Sequence, residues 1–302
     1  MKTGFIGLGI MGRAMAKNLL RAGMDLLVAD LNKEAVEDVV AAGAKEAGYA
    51  EIGEKCRRII LMVPSGEITK SILFGEDGVA SRVMVGTVIC DMSSVMPTES
   101  QECYRRLREK GVGFVDAPVS GGEPGAIAGT LAIMAGGDEE DFLAMKEYFD
   151  ILGSSALRIG ESGSGSVTKL ANQIIVNNTI AVVSEAFVLA VKAGADPQKV
   201  YQAIRGGLAK SAVLDAKLPM ILERNFQPGG PIRINHKDIK NVIHTAHAID
   251  VPIPYTAQLF EILQALKIHG HGEEDHGGIV QYFEGLADVE VKCVQRGENH
   301  GD

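Results

Sequence analysis

Apolar residues run in short unbroken stretches through the first half of the chain and at helical spacing through the second. KTGFIGL (2–8), DLLVAD (25–30), RRIILMV (57–63), GTVICDM (86–92), GFVDAP (113–118) and TLAIMAG (130–136) are aliphatic runs bounded by Gly, Pro or Asp, which predicts buried strands. Between the first two, Met15, Leu19 and Leu20 mark a helix that stops at Gly23, and Pro97 opens another that ends near Gly111. Alternating strands and helices predict an α/β domain over residues 1–162, a doubly wound, mostly parallel sheet of Rossmann type. From Gly163 the pattern changes. Its glycines and serines are read as unable to hold a helix, but no Gly or Pro then interrupts the chain until Gly194, which fits a left-handed C′ position. A helix of about 166–193 is predicted, roughly 40 Å long at 1.5 Å per residue. The segments beginning at Asp196, Ser211, His236, Tyr255 and Asp275 all carry apolar residues at i, i+3 or i+4. They predict an all-helical domain over 163–292, with Asp196 and Asp275 as N-caps, and a polar tail at 293–302.

Gly7-Leu8-Gly9-Ile10-Met11-Gly12 falls between the first strand and its helix, and Asp30 ends the second strand. That is the arrangement of a dinucleotide site. Gly7 permits the tight turn, Gly9 lets backbone approach a pyrophosphate, and Gly12 lets helix pack on strand. Asp30 is expected to take the ribose hydroxyls, which favours NADH with NADP still possible; its competing role is to cap the helix in LNKEAVEDVV. Val63, Pro64 and Ser94 close later strands, where ligands gather, and are candidates to line the cofactor. Ser120-Gly121-Gly122 offers either a nest of backbone N–H groups for a carboxylate or only a tight loop needing positive φ. Lys169, Asn172 and Gln173 share a face in the opening turn of the long helix. A lysine there opposes the helix dipole, so it is either a solvated cation or one held beside a developing anion.

A net charge of −9 over 302 residues argues against binding nucleic acid or an anionic membrane surface. Ile174–Val191 is apolar enough to suggest a membrane span, but Asn177, Asn178, Ser184 and Glu185 interrupt it, so a helix buried in protein is expected. Four cysteines without CxxC spacing suit reduced thiols in a cytoplasm. His236, His244, His247, His269, His271 and His276 lack an HExxH motif or a third ligand on one face, and no metal site is expected.

Three motifs in this order, FIGLGIMGRAMAKNL, DAPVSGGEPGAIAGTLAIMAGG and GSGSVTKLANQ, make the chain resemble the β-hydroxyacid dehydrogenase family from Gly4 to about Val291. The resemblance implies hydride transfer from NAD(P)H to a small carboxylate-bearing semialdehyde, with tartronate semialdehyde giving D-glycerate. It implies Lys169 as catalytic acid, Ser120, Gly121 and Gly122 on the substrate carboxylate, Asn172 orienting substrate, and Lys237 over the nicotinamide. Many members read K-x-x-N-N; here Gln173 replaces the second Asn and keeps an amide for substrate. A homodimer or homotetramer joined through the helical domain is also implied. The competing expectations are a methyl-bearing semialdehyde as substrate, and a non-catalytic nucleotide-binding scaffold, against which the presence of Lys169 argues.

Overall fold

The apolar runs do become strands in the computed structural model of the chain, which describes residues 2–293; most of the polar tail expected at 293–302 lies outside the described residues. In chain order the first part comprises β1 (Lys2–Ile6), α1 (Ile10–Arg21), β2 (Asp25–Ala29), α2 (Lys33–Ala41), β3 (Lys45–Glu46), α3 (Tyr49–Lys55), β4 (Arg58–Leu61) and α4 (Gly66–Phe74). It continues with β5 (Val88–Asp91), α5 (Pro97–Arg108), β6 (Gly113–Asp116), β7 (Val119–Ser120), α6 (Gly122–Ala128), β8 (Leu131–Gly136), α7 (Glu139–Ala144), α8 (Lys146–Leu152) and β9 (Gly153–Gly160). The strands form one sheet in the order β3-β2-β1-β4-β5-β6-β8-β7, with β9 beside β8. All pairs from β3 to β6 are parallel. Successive residues of one strand face opposite sides. Phe5, Val28, Ile60, Cys90 and Val115 therefore join one buried cluster, and Ile6, Leu27, Ile59, Ile89 and Phe114 the other. A sheet covered on both faces explains why these strands read as continuous apolar runs.

Three features depart from the sequence pattern. The sheet turns antiparallel where β8 meets β6 and β7. Gly122 opens a short helix instead of finishing a loop. An eight-residue strand, β9, pairs with β8, although Leu157 and Ile159 on it are exposed. Serines and outward apolar residues hid that strand, because it lies against a neighbour on one side only.

The long helix α9 spans Ser164–Lys192. It starts earlier than its glycines and serines allow from propensity alone, which moves Lys169 into the second turn. At the other end Gly194 has φ +85°, its N–H bonds to the Val191 carbonyl, and Ala195 N–H bonds to that of Ala190. This is the left-handed termination expected at Gly194. Two compact units divide within α9, residues 1–172 and 173–302.

The second unit adds α10 (Pro197–Ile204), α11 (Ala212–Leu222), α12 (Ile232–Ala248), α13 (Pro254–Ile268) and α14 (Val280–Ala287). Asp196 caps α10 by accepting from Gln198 and Lys199 N–H, and Asp275 accepts from Gly277 N–H in the turn before α14. Phe187 and Val188 of α9 pack with Leu214, Leu218, Ile221 and Val280 in this unit's core. α9 is long and apolar enough to cross a membrane by composition. Its buried polar residues have partners in the protein, however: Asn177 bonds the Gln173 carbonyl and His276, and Ser184 bonds the Ile180 carbonyl. Those bonds fit a helix with one face in a protein core.

Candidate active site

In the first unit the C-terminal ends of parallel strands β2, β1, β4 and β5 lie side by side, and each carries a residue expected at the cofactor. Gly7 follows β1 with φ +98°, and a Cβ there would stand 2.3 Å from the Met62 carbonyl oxygen. A Cβ on Gly12 would come within 1.9 Å of the Gly7 carbonyl oxygen, so α1 sits against its own loop. Gly9 differs, since a Cβ on it would meet nothing within 4 Å. Backbone N–H groups at the α1 N-terminus are thus open to an approaching anion. These three environments fit a bound pyrophosphate.

Asp30 follows β2. Its carboxylate accepts from Leu8 N–H in the glycine loop and from Asn32 N–H at 2.7 Å. The cap of α2 is Asn32, whose side chain accepts from Ala35 N–H, so the capping role considered for Asp30 belongs two residues on. Asp30, Leu31, Lys33, Glu46, Gly48 and Tyr49 help line a cavity of 520 Å³. Lys33 is paired with Glu46 at 2.7 Å. Tyr49 has its phenol pKa raised by burial and by the Asp30 charge. Val63 and Pro64 follow β4, and Val63 N–H donates to Ser93 Oγ at 2.9 Å. Ser93 N–H in turn donates to the buried Asp91 carboxylate, which also accepts from the Thr69 hydroxyl. Ser94 is half-buried on the same edge after β5. Sequence reading missed this Asp91 support, which has no local pattern to reveal it.

The Gly121-Gly122 pair follows β7. Gly121 has φ +140° and Gly122 φ +61°, so consecutive residues occupy backbone space that side chains disfavour. Both are exposed, and Ser120 beside them is half-buried. Lys169 Nζ donates to the Val119 carbonyl at 2.8 Å, which brings the ammonium to the residue preceding Ser120. Asn172, one turn further along α9, is half-buried.

In the second unit the Gln173 amide is buried. It donates to Asp238 Oδ2 at 2.7 Å and to Asn235 Oδ1 at 3.3 Å, both on α12. Lys237 Nζ lies 2.8 Å from the other Asp238 oxygen. Asp238 therefore joins Gln173 to Lys237, a role its sequence position beside a lysine did not disclose. The histidines take separate places: His236 stacks on Phe260 with ring centroids 4.6 Å apart, its pKa lowered chiefly by burial, and His271 pairs with Glu274. Among the described residues, no group of three or more His, Cys, Asp or Glu side chains is arranged to hold a metal.

Sheet order, glycine loop and strand-end acid define an NAD(P)-dependent oxidoreductase with a helical second domain. Residues 2–160 match the NAD-binding domain of 6-phosphogluconate dehydrogenase, and residues 163–283 match the NAD-binding domain of NADP-dependent 3-hydroxyisobutyrate dehydrogenase. The chain belongs to the β-hydroxyacid dehydrogenase family. It is 41% identical over 288 residues to the 2-hydroxy-3-oxopropionate reductase of Escherichia coli K12, covering 95% of this chain and 98% of that one. It is 34% identical to the 2-(hydroxymethyl)glutarate dehydrogenase of Eubacterium barkeri, with 98% and 99% covered. The crystal structure of 3-hydroxyisobutyrate dehydrogenase from Salmonella typhimurium matches with a TM-score of 0.84 at 28% identity, covering 93% of this chain and 99% of that one.

Proposed function

We propose that this enzyme reduces tartronate semialdehyde (2-hydroxy-3-oxopropionate) to D-glycerate. The observation that carries the reading is the Lys169 ammonium held 2.8 Å from the Val119 carbonyl, where the chain runs into two exposed glycines of positive φ. NADH, when bound, supplies the hydride. The adjacent N–H groups of Gly121 and Gly122, with the Ser120 hydroxyl, bind the substrate carboxylate. That fixes the carbonyl within reach of one cation. Lys169 stabilises the negative charge developing on the aldehyde oxygen and gives it a proton. Asn172 orients the substrate from the next turn; the Gln173 amide, expected from sequence to serve the substrate as well, is buried against Asp238 instead. Lys237 is assigned to the nicotinamide by family resemblance. Asp30 holds the adenosine ribose, while Val63, Pro64 and Ser94 line the strand-end edge beside the glycine loop.

The substrate choice draws on the 41% identity to the E. coli reductase and on Ser120-Gly121-Gly122-Glu123, where family members acting on glyoxylate or succinic semialdehyde tend to carry SGS-K. A second reading, a methyl-bearing semialdehyde as in 3-hydroxyisobutyrate dehydrogenase, draws on the Salmonella structure and the match over 163–283. NADH oxidation measured with tartronate and methylmalonate semialdehydes decides between them. A higher kcat/KM for the methyl-bearing compound would overturn the first reading. We also assign the enzyme to the cytoplasm, in keeping with four free cysteines.

A further inference from the structure

Helices α2, α4, α10 and α11 are capped by the residue just before them, Asn32, Ser65, Asp196 and Ser211. The start of α9 is held from far away in sequence. Asp116, at the end of β6, is fully buried, and its two carboxylate oxygens accept from Gly163 N–H at 2.7 Å and Ser166 N–H at 2.8 Å. A Cβ on Gly165 would stand 2.3 Å from the Met134 carbonyl oxygen and 2.4 Å from that of Asp116. One on Gly136 would stand 2.7 Å from Gly165 N and 2.8 Å from Asp116 Oδ1. The first turn is therefore seated directly on the ends of β6 and β8, with no side chain between. Ser100 and Ser166 hydroxyls add a 2.9 Å bond on the same turn.

Lys169 follows Ser166 by three residues, one turn along, and bonds the carbonyl of Val119, which follows Asp116 by three. A ring closes: the segment 116–119 grips the helix by its first amides and again by its lysine. The same segment runs directly into Ser120-Gly121-Gly122. We propose that Asp116 is a positioning residue that fixes the Lys169 ammonium against the substrate-carboxylate loop. It needs both oxygens as acceptors, which a carboxylate provides and an amide does not. The claim rests on the catalytic role proposed for Lys169 and goes beyond it. Burial raises the Asp116 pKa to about 6, while the bonds from Gly163 and Ser166 lower it, so the carboxylate form predominates at neutral pH.

The test is Asp116→Asn in the full-length enzyme. Its amide nitrogen faces one of the two N–H donors and cannot accept from it. Misplacement of a catalytic group by about 1 Å can cost on the order of 100-fold, so kcat should fall by about 10- to 100-fold, with NADH Kd unchanged and KM changed much less than kcat. Hydrogen exchange at the amides of residues 163–166 should quicken in the same variant, and Lys169 should be acetylated faster by acetic anhydride, with acetate leaving. If Asn does not yield folded protein, Asp116→Ser is read in the same way. A kcat within about threefold of wild type, or unaltered exchange at 163–166, overturns the proposal. Equal losses in NADH affinity and kcat also overturn it, since the residue would then serve the fold as a whole. Absence of semialdehyde reduction by wild type defeats the functional reading instead. In that case exchange and lysine acylation decide the positioning claim alone.

Discussion

Lys169 lies one turn beyond the opening N–H groups of α9, where the helix dipole opposes a cation less than it would at the first residues. The ammonium donates to the Val119 carbonyl at 2.8 Å. Lys169→Ala should lower kcat by about 100-fold or more, the scale of a general acid, while NADH still binds. Lys169→Arg should fail too, because a guanidinium does not release its proton near neutral pH. Steady-state rates with a cofactor-binding titration check both, and near-normal turnover would remove Lys169 from the mechanism. Asp116 makes a second prediction, concerning stability. Its pKa rises from 3.8 to about 6 on folding, chiefly through burial. Between those values the native state keeps a proton that the unfolded chain has released, so this group's contribution to stability falls as pH rises. The loss is about 3 kcal/mol over the whole titration, at 1.36 kcal/mol per pKa unit, of which about 2 kcal/mol falls between pH 4 and pH 6. Asp116→Asn lacks it. The buried Asp91, in register on β5, titrates in both proteins and largely cancels in the comparison. Urea unfolding of both proteins across this range should show the wild type losing stability relative to the variant; parallel curves would show that Asp116 does not titrate there.

At the scale of elements, the loop after β1 and the end of β2 act as one unit, because Asp30 accepts from Leu8 N–H. The cavity beside Asp30 also presents Glu46 and Glu51, and Glu46 pairs with Lys33, the nearest cation. A 2′-phosphate would enter an acidic setting. NADH should be preferred over NADPH by roughly tenfold in kcat/KM, about 1.4 kcal/mol. Asp30→Ala should narrow that ratio, mainly by lowering KM for NADPH, and should raise KM for NADH modestly because the loop loses an anchor. A wild type that prefers NADPH would hand control of the pocket to Lys33. The loop between β7 and α6 carries a separate prediction. Gly121 has φ +140°, and a Cβ there would lie 3.1 Å from Leu131 Cδ2. Gly121→Val should raise KM for acid substrates by roughly tenfold or more while leaving NADH affinity near normal. Equal losses of both would assign the loop to the cofactor or to folding.

For the whole molecule, α9 leaves apolar side chains in solvent at heptad spacing. Ile175, Val182 and Leu189 are 66%, 62% and 71% exposed, all on one face. Exposed apolar stripes of this kind usually mark association. A homodimer or homotetramer covering this face is expected, and Val182→Glu should shift the enzyme toward monomer in light scattering after size exclusion. A wild type that is monomeric at micromolar concentration would contradict it.

Strands β1, β2, β4, β5 and β6 were legible because both of their faces are buried, so the apolar run needs no neighbour to explain it; β3, two exposed charged residues, was not. The turn of the glycine loop, the stop at Gly194 and the Asp196 cap were legible because each is a local backbone requirement met within a few residues. Tertiary structure decided the rest. Ser164, Gly165 and Ser166 have little propensity for the body of a helix, yet α9 already includes them, with Asp116, 47 and 50 residues away from Gly163 and Ser166, accepting its first N–H groups. The Gln173 amide reads in sequence as one more polar group beside Lys169, but folding turns it toward Asp238, 65 residues on. β9 forms because β8 offers it an edge. Local conformational preference is written in neighbouring residues. A buried carboxylate's partners are set by which distant backbone groups the fold leaves without water.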